Sequence, residues 1–304
     1  MQLRKKKNNI VWFVSGFFSF FLVCMYLIFR DHSSFDLDKI RPTRDFSLQT
    51  IKVASQEEIK NVLSIVSQPF NFLAEEEDCY VFESKDQNYV IRFFNMRKIT
   101  PKYWLNYIPV PFLDKRRLSK IADRERNRQE IFSGLKNSFE HFRYQTGLVF
   151  LHLFRTEYLK TKILVIDKEG REHKIPLDIV PFVVQKKAKL LFEYIPDLLK
   201  EGKTSEALYA LCRVLTIVKD ECRQGFYGAN KEVEAEFGFV EGRPIRVAIH
   251  SLKMDESLKS SRNVLKEVYR VSQSLEAWAE RCCPEIATLF QDEVEDLLSF
   301  LEDE

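Results

Sequence analysis

The chain has 304 residues, of which 45% are hydrophobic and 30% are charged, and its formal net charge is +2. This composition is typical of a globular protein and excludes a disordered or fibrous chain. The near balance of 47 basic and 45 acidic residues argues against nucleic acid as a partner, and a content of only nine glycines argues against a glycine-rich phosphate loop.

An uncharged apolar run, IVWFVSGFFSFFLVCMYLIF, occupies residues 10–29 and follows the basic segment of residues 1–9. Twenty helical residues span about 30 Å, the thickness of a hydrocarbon core. The run is longer than the apolar part of a secretory signal, and no small-residue cleavage pattern follows it. It is therefore predicted to be an uncleaved signal anchor, a single-pass transmembrane helix whose partner is the lipid bilayer. The basic N-terminus favours placing the soluble part on the non-cytoplasmic side, although residues 30–44 are nearly as basic.

The chain after the anchor begins with an irregular segment, residues 30–54, which is predicted to be a linker. Ser55 and Glu58 then form a capping-box pattern that opens a helix. A short strand is predicted at residues 70–74, and the acidic run of residues 75–78 follows it.

The next stretch, Cys79 to Phe94, has the alternation of a β-hairpin with one buried face. Strands are predicted at Cys79–Ser84 and Tyr89–Phe94, joined by a polar turn. Arg92 is the one charged residue inside the second strand.

A proline- and aromatic-rich segment, residues 95–113, is interpreted as an ordered loop, with a membrane-surface or partner patch as the alternative. Residues 114–144 contain no proline and show a single apolar stripe, so they predict a long helix. Its many basic side chains are interpreted as a solvated face, and contact with acidic lipid or a phosphate-bearing partner is the alternative.

The remainder of the chain alternates short strands with helices, which gives an α+β fold class. Residues 55–185 are predicted to form an α+β region and residues 186–304 a mostly helical one. Strands are predicted at residues 147–154, 163–167, 171–177, 182–185, 237–240 and 245–249, and helices at residues 187–200, from Thr204 to near Gly225, and in two C-terminal pieces broken at Pro284.

This order of elements resembles the protein-kinase-like fold, including its aminoglycoside-phosphotransferase-type members, over residues 55–260. In particular it is similar to a group of uncharacterised chlamydial single-pass membrane proteins with a kinase-like domain. The resemblance implies a bilobal domain behind the transmembrane helix. It also implies that the Cys79–Phe94 hairpin covers ATP, that Phe182–Ala188 connects the lobes, and that Gly225–Ile249 holds the catalytic loop and the metal-binding strand turn.

The positions that would perform phosphoryl transfer have changed in this sequence. Arg92 stands where the resemblance implies a lysine, and the acidic residues 75–78 stand where glycines would cradle phosphate. Phe226–Asn230 contains no carboxylate to act as base. Glu236 replaces a metal-binding Asn, and Ala248 replaces the second metal-binding Asp. The resemblance therefore implies a degenerate site without catalytic residues, metal or cofactor.

Arg92 and Glu236 are interpreted as remnants of a nucleotide site. Arg92 is predicted to pair with a structural carboxylate, such as Glu125 or Glu130 on the long helix, instead of holding ATP.

Four further groups of residues are of types that can perform chemistry. His152 lies in an apolar strand and is interpreted as a core histidine, and His250, at the start of the region equivalent to an activation segment, is also interpreted as structural. The six cysteines lack CxxC spacing, and the adjacent Cys282 and Cys283 are interpreted as ordinary helix residues, with an intermolecular disulfide as the alternative. A loose acidic and histidine cluster without fixed ligand spacing does not predict a metal site; its members are Asp167, Glu169, His173 and Asp178.

The leading hypothesis from sequence is a membrane-anchored, catalytically degenerate kinase-like domain that acts by binding a protein partner. One alternative is a divergent but active phosphotransferase that uses Arg92 and Glu236. Another is a structural membrane protein of an envelope or secretion assembly.

Overall fold

A computed structural model describes residues 35–42, 54–101, 114–229 and 232–302 of the chain. Among these residues there is no helix both long enough and apolar enough to cross a membrane. The predicted transmembrane helix, residues 10–29, lies outside the described residues, as do most of the predicted linker and of the aromatic segment that precedes the long helix.

A curled mixed sheet of seven strands forms the first part of the molecule. Its strand order is β4-β7-β3-β2-β1-β5-β6, and every neighbouring pair is antiparallel except β1 and β5, which run parallel. The strands are β1 Phe70–Glu75, β2 Cys79–Ser84, β3 Tyr89–Phe94, β4 Leu148–His152, β5 Lys162–Ile166, β6 Glu172–Pro176 and β7 Phe182–Lys186.

The predicted hairpin is confirmed at both strands and at its turn, but the expectation of one buried face is wrong. Val81 lies opposite Arg92 in the β2–β3 register, and side chains on both faces of the hairpin are buried. Tyr80 and Phe82 pack into one apolar cluster, while Val81 and Phe94 pack into another across the sheet. The sheet is covered on both sides, which explains why β3 is almost continuously apolar.

Helices cover these two faces and build a separate helical part. The capping box of Ser55 and Glu58 is confirmed: Ser55 Oγ accepts from the Glu58 amide at 3.2 Å, and the Glu58 carboxylate accepts from the Ser55 amide at 2.7 Å. The helices are α1 Leu37–Ile40, α2 Gln56–Ile65, α3 Met96–Ile99, α4 Asp114–His141, α5 Arg143–Thr146, α6 Leu191–Lys200, α7 Thr204–Arg223, α8 Ser261–Cys282 and α9 Pro284–Glu302.

The helical lobe contains α6 to α9 and two small sheets. Its core is the apolar stripe of α7 packed against α8 and α9, with Trp278 and Phe290 among the buried side chains. The predicted helix at residues 187–200 begins only at Leu191, because the preceding Lys189 and Leu190 pair with a later strand. The small sheets consist of β8 Lys189–Leu190, β10 Phe237–Val240 and β11 Arg243–Arg246, and of β9 Phe226–Gly228 and β12 Leu252–Met254.

The two adjacent cysteines lie at the junction of α8 and α9. Cys282 is exposed, whereas Cys283 is buried, and both thiols are free. Burial raises the pKa of Cys283 to about 11, so this thiol is a poor nucleophile at neutral pH.

Candidate functional site

Arg92 lies in the middle of the curled sheet, with only 4% of its surface exposed. Its Nη1 donates to Gln185 Oε1 on the neighbouring strand β7. Its Nε lies 3.6 Å from Glu76 Oε1 in the turn between β1 and β2. A buried guanidinium needs both a counterion and hydrogen-bond acceptors, and these two side chains supply them.

Arg92 does pair with a carboxylate of the chain, but the partner is Glu76 and not Glu125 or Glu130. Glu125 instead accepts from Arg128 on the same helix, and Glu130 accepts from Lys253 at 2.8 Å. The turn before β2 reverses sharply enough to bring Glu76 back over the sheet, since the Glu76 amide donates to the Cys79 carbonyl at 2.9 Å. Glu76, three residues before the first residue of β2, is therefore the carboxylate that reaches Arg92.

Glu76 belongs to the acidic run of residues 75–78, which stands where the kinase resemblance implies a glycine-rich phosphate loop. Its carboxylate accepts from the Cys79 thiol at 3.0 Å and faces Arg92. Burial opposes ionisation of Glu76, but the Arg92 charge and the Cys79 hydrogen bond outweigh it and hold the pKa of Glu76 below its ordinary value of 4.5. The half-buried Glu76 carboxylate is therefore the anion beside the Arg92 guanidinium.

We expect Glu76→Gln to change how the free energy of unfolding depends on pH. Because the folded-state pKa of Glu76 lies below the unfolded-state value, ionised Glu76 stabilises the fold above about pH 4.5, and this contribution is lost as the pH falls through the folded-state pKa. Urea unfolding at several pH values should show that the free energy of unfolding of the unmodified protein falls more steeply below that pH than that of Glu76→Gln. Equal slopes would contradict the Glu76–Arg92 pair.

Gln185 joins the sheet to the helical lobe. Its Nε2 donates to the Thr146 carbonyl at 2.6 Å and to the Arg246 carbonyl at 3.2 Å, while its Oε1 accepts from Arg92. Gln185 is 1% exposed, so each of these bonds is shielded from water. The side-chain amide of Gln185 therefore holds the Arg92 side chain at a fixed position relative to Arg246 in β11.

His250 lies between the Arg92 pair and the helical lobe, where it is half-buried. Burial lowers the pKa of His250, and the nearby Glu76 carboxylate only partly opposes this. His250 is thus neutral at physiological pH.

A second group of buried charges surrounds the Arg246 guanidinium at the centre of the helical lobe. Arg246 Nε and Nη2 donate to the two carboxylate oxygens of Glu221 at 2.8 Å and 2.6 Å. Arg246 Nη1 donates to Glu236 Oε2, and Ser251 Oγ donates to Glu236 Oε1 at 3.1 Å. The three charged side chains are at most 2% exposed. We call Arg246, Glu221, Glu236 and Ser251 the Arg246 cluster.

The Arg246 cluster connects three elements that are distant in sequence. Glu221 comes from the last turn of α7, Glu236 precedes β10, and Arg246 ends β11. Complete burial raises the pKa of Glu221, and Arg246 only partly offsets this. Burial alone would lower the pKa of Arg246, but the two carboxylates raise it.

Gly228 allows these charges to approach the backbone of β9. A Cβ atom at this position would lie 2.5 Å from both Arg246 Nη1 and Glu236 Oε2. A methyl group there would require one of these two hydrogen-bonded side chains to shift, so the glycine is favoured by packing and not by its backbone angles.

The structure places the two predicted remnants of a nucleotide site in different clusters. Arg92 has Glu76 and Gln185 as partners, and Glu236 has Arg246 and Ser251. They are linked indirectly, because Gln185 binds the Arg92 side chain and the Arg246 carbonyl.

Sequence reasoning missed Glu221, Arg246, Gln185 and the inward role of Glu76. Glu221 carried a readable signal, since it continues the buried stripe of α7 that includes Val214 and Val218. A charged residue on such a stripe needs a buried partner of opposite sign.

His152 is a core histidine, as predicted. It is 2% exposed, and its Nδ1 and Nε2 lie 2.9 Å from the Val180 carbonyl and 3.0 Å from Thr156 Oγ1. Burial lowers its pKa.

The loose acidic and histidine cluster divides into two separate sets of contacts. Asp167 Oδ2 accepts from Arg171 Nε and from His173 Nε2, both at 2.8 Å, and Glu169 binds Arg171. Asp178 instead accepts from Thr156 and from the backbone amides of residues 159 and 160. Across the described ranges, no three His, Cys, Asp or Glu side chains are arranged to hold a metal ion.

The curled mixed sheet followed by a helical lobe is loosely compatible with a kinase-like fold. No protein-family model matches the chain, and no curated protein matches it.

Proposed function

We propose that this chain is a membrane-anchored protein whose bilobal, kinase-like domain has lost phosphoryl transfer and acts by binding a protein partner. One observation carries the proposal. The two charged side chains left at nucleotide-site positions, Arg92 and Glu236, are each neutralised by another side chain of the same domain.

Arg92 stands at the position where a nucleotide phosphate would bind. A cation that binds ATP must present its charge to a mobile anion in the cleft. Arg92 has Glu76 beside it and Gln185 as an acceptor. A phosphate would therefore have to displace a carboxylate that belongs to the same chain. Displacing Glu76 would also break its hydrogen bond from Cys79.

The Glu236 side of the proposal concerns metal. Carboxylates hold Mg²⁺ through oxygen atoms that remain available to the ion. Both oxygens of Glu236 accept hydrogen bonds, one from Arg246 and one from Ser251. A cation at this position would also meet the positive charge of Arg246.

The resemblance to kinases adds the absence of a base. Phe226–Asn230, the region of the catalytic loop, contains no carboxylate, and the second metal-binding position falls near Ala248. Neither place therefore offers a carboxylate to accept the proton or to bind a metal, and positioning alone would not replace this chemistry.

An assay of ATP consumption tests the loss of turnover. The full chain with ATP and Mg²⁺ or Mn²⁺ is expected to consume no more ATP than a heat-denatured sample. Consumption that is abolished in Glu236→Gln would overturn the proposal in favour of a divergent phosphotransferase. Arg126→Gln is the control for non-specific effects of substitution, because Arg126 is exposed and its ion pair is with Asp123 on the same helix.

The proposed membrane anchor is residues 10–29, with the folded domain on the non-cytoplasmic side. A reporter enzyme fused to the C-terminus, active on one side of the membrane only, tests both parts. Activity of the externally active reporter is expected, and activity of the cytoplasmic reporter would reverse the orientation.

A further inference from the structure

The N-terminal half of the long helix α4 stands away from the rest of the described domain. Residues 116, 118–120, 122, 123, 126 and 127 are exposed, and residues 121, 124 and 125 are only half-buried. Packing against the sheet begins further along, with Ile131, Phe132 and Leu135. We call residues 116–127 the α4 arm.

The α4 arm carries a stripe of positive charge. Arg116, Lys120 and Arg124 recur every four residues, which places them on one face of the helix. No ion pair joins any of these three to another residue of the described chain. Like charges at this spacing destabilise a helix by roughly 0.2–0.5 kcal/mol per pair, and an anionic surface would remove that cost.

The acidic residues of the α4 arm do not neutralise this stripe. Asp123 binds Arg126, and Glu125 binds Arg128, both within the helix.

The first described residue fixes how far the domain can lie from the predicted anchor. Phe35 is 4% exposed, and its ring packs edge-on against Tyr80 and Phe82, with centroids 5.2 Å and 5.1 Å away. Only residues 30–34 separate it from the end of the apolar run at Phe29. Six Cα–Cα steps reach at most roughly 20 Å, so the domain must remain close to the bilayer.

Helix α3 contacts both the segment that begins at Phe35 and the long helix α4. Arg97 on α3 lies 3.9 Å from Asp36, the N-cap of α1. Met96 and Ile99, also on α3, pack in the apolar cluster that holds Phe132 of α4. The arm begins just beyond this contact and extends over 12 residues, about 18 Å of helix.

We propose that the α4 arm docks on the anionic lipid headgroups of the bilayer in which the chain is anchored. The inference rests on the proposed anchor, because the tether supplies the high local concentration that three cations alone would not. Each Lys or Arg at an anionic surface contributes about 1 kcal/mol, and the attraction falls off within about 10 Å. Nucleic acid fits less well, since the whole chain has a net charge of only +2.

Hydrogen–deuterium exchange of the full chain in lipid nanodiscs tests this docking. One disc contains phosphatidylcholine alone, and the other contains phosphatidylcholine mixed with phosphatidylglycerol. Backbone amides of residues 116–127 are expected to exchange more slowly in the anionic disc, whereas those of residues 261–270 should exchange equally in both. Arg116→Gln with Lys120→Gln should weaken docking roughly 30-fold, since two cations at about 1 kcal/mol each are removed. The difference in exchange rate between the two discs should shrink accordingly.

A matched control is available on α8. Arg262 and Lys266 are also exposed, also four residues apart and also near a helix N-terminus. Arg262→Gln with Lys266→Gln changes the net charge equally and should leave protection of the α4 arm intact.

The outcomes separate this inference from the proposed anchor. If the chain fails to enter either disc, the anchor is wrong and the docking fails with it. If the chain enters both discs and residues 116–127 exchange equally, the anchor stands and docking is overturned. Protection in the neutral disc by an added DNA duplex, with none from anionic lipid, would overturn docking in favour of nucleic acid.

Discussion

Replacement of Arg246 by methionine is expected to lower the free energy of unfolding by about 3–5 kcal/mol. The substitution leaves Glu221 and Glu236 buried without their cation, and breaking a buried ion pair by removing one partner costs this much. The free energy of unfolding of a whole domain is typically only about 5–15 kcal/mol, so the variant should be close to unfolding. Urea unfolding followed by circular dichroism measures the loss.

The Arg246→Met variant should also become more stable as the pH is lowered. Without Arg246, the pKa of Glu221 rises further above its ordinary value of 4.5, so the folded state binds more protons than the unfolded state above that pH. Stability should then fall as the pH rises from about 4.5 through the folded-state pKa. Arg126→Met is the matched control, because its ion pair with Asp123 is exposed and surface pairs contribute about 0–1 kcal/mol. A loss in Arg246→Met no larger than in this control would contradict the buried cluster.

Gly228→Ala is expected to lower the free energy of unfolding by about 1–3 kcal/mol, the usual cost of overpacking a buried site. The added methyl would lie 2.5 Å from two charged atoms that cannot move without breaking their own bonds. Thermal or urea unfolding checks the loss. The strand conformation itself should be unaffected, since alanine tolerates extended backbone.

A double variant identifies the cause of the Gly228→Ala effect. One of the two clashing atoms, Arg246 Nη1, is absent from Arg246→Met. Gly228→Ala should therefore cost less in that background than in the unmodified protein, because residues in contact are energetically coupled. Equal costs in both backgrounds would show that contact with Arg246 does not cause the loss.

Much of the fold could be predicted from local patterns. Strands β2 and β3 follow from alternation and a polar turn, and α2 follows from its capping box. The start of α6 could not be predicted in this way, because Lys189 and Leu190 pair with β10, about 50 residues later in the chain. Two-sided burial of the hairpin was missed for a similar reason: which helices cover a sheet is a tertiary property.

The partners of buried charges were harder to predict than the charges themselves. That Arg92 needs a carboxylate follows from desolvation, but which carboxylate depends on how the chain turns between β1 and β2. Glu76 is nearer to Arg92 in the sequence than Glu125 or Glu130, but sequence distance alone does not indicate which carboxylate faces the guanidinium. Arg246 and Glu221 are 25 residues apart and meet only because β11 packs beside α7.

If Glu76 and Arg246 occupy the positions at which phosphate and metal would meet Arg92 and Glu236, the chain should not bind ATP with Mg²⁺. A thermal-shift titration of the full chain with ATP and Mg²⁺ tests it most directly, since a ligand at 100 times its Kd adds about 2.7 kcal/mol to stability. We expect no change in the midpoint of thermal unfolding at any ATP concentration. A rise in midpoint that grows with ATP, that Arg92→Ala abolishes and that the exposed-site control Arg97→Ala retains, would contradict it.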